Sequence, residues 1–207
     1  MINYLMLKYL KKNIEKIKNL HITNENIFDS SIIKNDLKKQ NMINKWIKEK
    51  MDTNKIKYEL IYKMSKNGSK TKDFHKCCDN KGATLTIIET NNKDIFGGFT
   101  PLSWNSNGKS YFDTSRKTFL FSMNLLKQYN MFNLGQVAIY CDRYYGPTFG
   151  KYDHKDIGFY EDLLQGTIGA HEDSNFFEKG KLELTRGKGN SEPFYTKEIE
   201  IFKVIIE

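Results

Sequence analysis

The chain has 207 residues, room for one ordinary domain and a short appendage, and its 14% aromatic content and 3 prolines exclude wholesale disorder and collagen-like or proline-rich classes. A formal net charge of +8 invites nucleic acid, but it comes from 30 Lys and 3 Arg beside 20 Asn and 21 Ile. That pattern follows from AT-rich codons, and the arginine forks used to read phosphates and bases are nearly missing.

The basic character sits at one end. Residues 1–50 hold 11 lysines against 5 acids, whereas residues 51–207 hold 22 basic and 20 acidic residues. Over residues 2–20, Leu7, Leu10, Ile14 and Ile17 recur at helical spacing. That spacing fits a coiled-coil seam, through which residues 1–25 would self-associate, or an amphipathic helix packed on its own domain. Lys8 interrupts the apolar run, so it is not a signal peptide, and no window approaches the ~18 apolar residues of a membrane span. A second helix is expected to start at the N-cap Asp29, with Phe28 stapled onto Ile33, and to run to Lys50. Gln40 falls on its apolar stripe.

From Ile56 the period changes to two, and Ile56, Tyr58, Leu60 and Tyr62 predict a half-buried strand. Asn67-Gly68 marks a turn, and residues 71–78 read as a short helix. Short apolar runs follow at 84–90, 94–100, 118–124, 136–142 and 197–206, with a hairpin loop at 91–94. Many short strands with little helix between them predict antiparallel packing, a sandwich more than a barrel. Residues 151–195 carry Gly-rich and charged loops, including the acid-rich stretch 153–173 with His154 and His171.

The densest set of metal-ligating side chains is His75, Cys77, Cys78 and Asp79, one tight cluster without the second pair that a zinc site needs. Cys77, with Lys72 and Lys76 nearby, could serve as a reactive thiol, but no resolving CxxC accompanies it. An odd set of three cysteines, Cys77, Cys78 and Cys141, reads as free thiols in a reducing, cytoplasmic setting. Gly97-Gly98 inside a strand marks a bulge or a close approach of another backbone. Gly146-Pro147-Thr148-Phe149-Gly150 reads as a rigid turn with aromatic anchors. No nucleophile elbow, phosphate loop, dinucleotide fingerprint or HExxH is present.

The order of these segments carries more than any one of them. Leu60–Gly68 is followed by Asp73–Ile88, Ile95–Thr100, Ser103-Trp104, Thr118–Ser122, Gly146–Gly150 and Lys197–Val204. This series, over about residues 57–207, resembles the TLDc domain of the oxidation-resistance proteins. The resemblance implies a mainly β fold, a two-sheet antiparallel β-sandwich with a few short helices, here preceded by two N-terminal helices. The chain then divides into a first helix (1–25), a leader helix and linker (26–55) and the TLDc-like domain (56–207).

The family has no established active site, so no catalytic residue, cofactor or metal is expected. Its motif positions, expected to be structural, are Phe74, Cys78, Gly82, Gly97, Gly98, Trp104, Phe119, Phe121, Gly146, Pro147, Thr148, Phe149, Gly150, Glu198 and Glu200. The resemblance also implies protection against oxidative stress and binding to the cytosolic sector of a V-type proton-pumping ATPase. The expected setting is cytoplasmic and peripheral at endomembranes, with no nucleic-acid partner and no membrane insertion. The alternative is a peroxide-scavenging enzyme using Cys77 or Cys78. Departures from the family pattern are Ala83 in place of the usual Pro, the run Lys151–Asp156 in place of a glycine-rich stretch, and the segment 157–195.

Overall fold

The computed structural model describes residues 27–132, 136–169 and 193–207, together with Met6, Phe176 and Leu184. The expected first helix and its pairing lie outside this set apart from Met6, as do His171 and the loop 186–190.

Residues 27–36 form an irregular strap of bends and one turn that leads into α1 (Leu37–Met51). Then come β1 (Ile56–Lys63), α2 (Met64–Asn67), α3 (Thr71–Cys78), β2 (Thr84–Thr90), β3 (Ile95–Thr100), β4 (Asn107–Phe112) and β5 (Phe119–Ser122). The chain continues with β6 (Lys127–Asn130), β7 (Val137–Asp142), β8 (Thr148–Gly150), β9 (Lys155–Phe159), β10 (Gln165–Ile168) and β11 (Pro193–Ile206). The protein is mainly β and antiparallel, with few helices.

The eleven strands are linked in the order β4-β7-β8-β9-β10-β11-β2-β3-β5-β6, with β1 also on β11. The 14-residue β11 is what joins the halves: it pairs with β10 at 193–195 and with β2 at 196–203. The leader helix begins at Leu37, not at Asp29. Its N-cap is Asp36, whose carboxylate accepts the Lys39 amide at 3.0 Å.

What holds residues 29–35 out of the helix is distant in sequence. Glu200, buried on β11, accepts the Ser30 hydroxyl at 2.6 Å and both the amide (3.0 Å) and hydroxyl (2.7 Å) of Ser31. Lys63 reaches the same carboxylate at 3.2 Å. Gln40 is a working part of this attachment, since its side-chain oxygen accepts the Ile27 amide at 2.9 Å.

The period-two pattern sends side chains to two cores. Ile88, Phe96, Leu120, Ile199 and Ile201 meet Ile139, Phe149, Ile157 and Phe159 in the larger core, which also takes in Phe176 and Leu184. The opposite face of the same strands presents Leu85, Ile87, Phe99, Phe121 and Phe202 to Ile43 and Ile47 of α1 and to Phe28 and Ile33 of the strap. A bulge between Leu60 and Tyr62 lets β1 serve both cores: Tyr58 packs on the smaller one and Tyr62 lies in the larger.

Candidate functional site

The motif positions lie mostly in these cores. Phe74 of α3 is fully buried, its ring centroid 6.2 Å from that of Tyr62 and 5.8 Å from that of Trp104. Trp104 donates its indole N–H to Thr84 Oγ1 at 2.8 Å and packs edge-on against Phe149 at 5.5 Å. Phe119 and Phe121 face Trp46 of α1. Glu198 accepts the Ser65 amide at 3.1 Å. Gly82 takes a left-handed φ of 78° and donates its amide to Ser103 Oγ at 2.9 Å.

Gly97-Gly98 is a close approach, since β2 and β3 pair there in continuous register. A Cβ on Gly98 would stand 2.6 Å from the Phe149 ring, and one on Gly97 would meet the Thr86 carbonyl at 1.9 Å. Of the expected turn, only Gly146 and Pro147 bend, and Thr148–Gly150 is strand β8. Thr148 is buried and donates its hydroxyl to the Gly146 carbonyl at 3.2 Å, Phe149 anchors the larger core, and Gly150 has φ 92° beside Asp156.

The cluster at the end of α3 resolves into a single hydrogen-bonded histidine. His75 Nδ1 lies 2.7 Å from Asp79 Oδ1, and Nε2 lies 2.9 Å from the Asp142 carbonyl and 2.8 Å from the Tyr145 carbonyl. Carbonyl oxygens only accept, so Nε2 carries a proton, and the carboxylate calls for one on Nδ1 as well. Burial works against the charged ring, but the Asp79 bond and charge and the two carbonyls outweigh it and raise the His75 pKa. Asp79 also accepts the Ser106 hydroxyl at 2.6 Å. Among the described residues no group of three or more His, Cys, Asp and Glu side chains could hold a metal. Cys78 and Cys141 are buried, and burial raises both thiols, that of Cys141 to about 12. Cys77 is half-buried.

The carbonyl that His75 holds belongs to a tyrosine group which the sequence reading passed over. The turns 142–145 and 159–163 are stitched together by Glu161 N–H to the Tyr144 carbonyl at 2.7 Å and by a bridge between Tyr145 and Tyr160. Tyr145 thereby packs against Tyr140, Tyr152 and Tyr160 with centroids 5.1–5.7 Å apart. The Lys155 ammonium stands 5.0 Å from the Tyr145 ring centre and 5.7 Å from that of Tyr152. Burial lowers the Lys155 pKa, against a smaller opposing pull from Asp153. Tyr152 and Tyr160 remain 54% and 56% exposed. Arg143 stacks on the exposed Tyr144 at 4.7 Å. The available signal was the spacing of Tyr145, Tyr152 and Tyr160 around a Gly-Pro turn, within a stretch that reads as solvated charge.

The fold defines an antiparallel β domain with few helices, bearing an aromatic and basic surface beside a histidine-braced turn. Residues 27–205 match the family model of the TLDc domain, and the chain belongs to that family. The matched span includes the strap and α1, in keeping with their packing on the smaller core. No curated protein matches the chain. No described helix is long and apolar enough to cross a membrane.

Proposed function

We propose that this chain is a non-enzymatic, TLDc-type protein-interaction module that binds the cytosolic sector of a V-type proton-pumping ATPase and acts in protection against oxidative stress. It works in the cytoplasm and peripherally at endomembranes. Membership in the TLDc family supports the reading. The observation that carries it is how the reactive side chains are used. His75 has both ring nitrogens committed to acceptors, and Cys78 and Cys141 are buried thiols held in their neutral form. Reactive cysteines are partly exposed, and Cys77, the half-buried thiol of the three, is the one whose reactivity the peroxide assay below reads. The exposed tyrosines Tyr144, Tyr152 and Tyr160, with Arg143 stacked on the first, are residue types enriched at protein-binding surfaces.

The test is affinity capture of the tagged full chain from lysate of its own source, against an unrelated tagged protein. Recovery of ATPase subunits supports the assignment, and their absence with the chain folded and abundant removes it. Peroxide turnover by the purified chain separates the alternative. None above background is expected, and turnover that a Cys77→Ser variant abolishes would replace this reading with a thiol enzyme.

A further inference from the structure

The geometry points to the Tyr145–Tyr160 face as the contact surface for an acidic segment of a partner protein, with Lys155 receiving a carboxylate. The inference rests on the interaction-module reading and gives that module its binding face and the chemistry of its partner.

Three observations carry it. First, three cations on this face, Lys155, Arg143 and Lys72, form no ion pair among the described residues, and Asp153 exerts only a weaker pull on Lys155, which is partly desolvated between two tyrosine rings. The neighbouring Lys70, by contrast, is taken up by Asp162 at 3.6 Å. Removing a cation from water without a partner charge is unfavourable, and an incoming carboxylate would offset that cost. Second, the face has relief. A depression of about 340 Å³ runs past Lys155, Gly158, Tyr160 and Thr167. Another of about 510 Å³ lies between Lys70, Lys72, Arg143, Tyr144 and Glu161. Tyr160 lines the first and its chain neighbour Glu161 the second, so an extended segment spanning both would meet Lys155 in one and Arg143 and Lys72 in the other. Third, the face is already ordered. The Tyr145 ring is packed by three others, and its carbonyl is held by His75. Binding therefore orders few side chains, and tyrosine and arginine give large contacts at low entropic cost.

The same features weigh against polyanionic occupants. Asp153 and Glu161 are exposed on this face and would repel a phosphate backbone or an anionic headgroup layer. A peptide can place apolar or amide groups beside them.

The experiment selects short random peptides on the immobilised full chain and measures the winners in solution. Peptides enriched in Asp and Glu are expected, with affinity falling as salt rises. Lys155→Met and Tyr160→Ala should each weaken them about tenfold or more, and Lys45→Met on α1 should leave them unchanged. Unchanged thermal melting of the variants keeps folding out of the comparison. Selected peptides without acidic bias, no selected peptide, or binding indifferent to both variants would overturn the inference. So would tighter binding of phosphatidylserine vesicles, polyuridylate or a second copy of the chain that the same variants abolish. If lysate capture recovers its partner equally well with Lys155→Met, the face falls while the module reading stands. If acidic peptides bind but no protein is captured, the module's assigned partner falls and the face stands.

Discussion

Two outer faces of the strand ladder are finished in different ways. On one, β2, β3, β5 and β11 present Leu85, Ile87, Phe99, Phe121 and Phe202, and α1 and the strap bury them. On the other, the β7–β10 region presents Tyr152 and Tyr160, each more than half exposed, with Lys155 over the adjoining rings. The first face is apolar, and the buried carboxylate that ties the strap to it, Glu200, is saturated by Ser30, Ser31 and Lys63. The second is amphipathic, and its cations Lys155 and Arg143 meet rings rather than carboxylates. A covered face contributes stability. An exposed one with ordered aromatic rings and unmatched charge contributes little stability and is available for recognition.

The sharpest way to test that division is to begin with what both faces share. Phe149 lies in the core between the halves and touches Trp104 and the Gly98 backbone. Phe149→Ala should destabilise by about 3–5 kcal/mol, read by urea unfolding. A loss below about 1 kcal/mol would mean that the halves do not depend on each other through this ring.

The covered face can then be broken by acid. Burial raises the Glu200 pKa, but hydrogen bonds from Ser30 and Ser31 and from Lys63 outweigh it, and the net shift is downward from 4.5. A depressed carboxylate contributes stability that is fully present above its unfolded pKa and is lost as pH falls through the folded one. Glu200→Gln should cost about 1–3 kcal/mol at neutral pH and remove that acid-side loss. An unaltered acid limb would show that the strap is held by its apolar residues alone.

His75 gives the opposite sign. Its folded pKa is raised above 6.5, so its contribution is complete below that pH and fades as pH rises through the folded value. His75→Gln should cost about 1–1.5 kcal/mol at pH 5 and progressively less toward alkaline pH. Stability curves of the two proteins should therefore converge at high pH. Parallel curves would mean that the ring binds its proton equally well in the folded and unfolded chains.

These sites differ in how far the sequence revealed them. The helix over 71–78 and the strand over 84–90 were legible because local periodicity and turn residues settle them. β4 was not. Its residues, Asn107–Phe112, are almost all exposed at the end of the ladder, so no alternation marks it, and only pairing with β7 makes it a strand. β6, β8 and β10 are three or four residues long and give no period to read. The choice between Asp29 and Asp36 as N-cap was closed to local reasoning for a different reason. Both are good caps, and Glu200, remote on β11, decides by tying down Ser30 and Ser31. The tyrosine face has the same origin, since two chain reversals bring Tyr140, Tyr145, Tyr152 and Tyr160 together.

The smallest stability effect discriminates most between the faces. Tyr160 is more than half exposed, and its ring meets Tyr145 at 5.1 Å on a surface that no described element covers. Removing it forfeits one aromatic contact and little burial, so Tyr160→Ala should change stability by no more than about 0.5 kcal/mol in urea unfolding. A ring on the covered face could not be removed so cheaply, because Phe121 there is fully buried beneath Trp46. A loss above about 2 kcal/mol for Tyr160→Ala would make the tyrosine group part of the structural framework. The contrast between a face built for stability and one left for a partner would then disappear. A near-zero loss, with acidic-peptide binding weakened in the same protein, places the ring in recognition, since packing alone would move the first quantity and not the second.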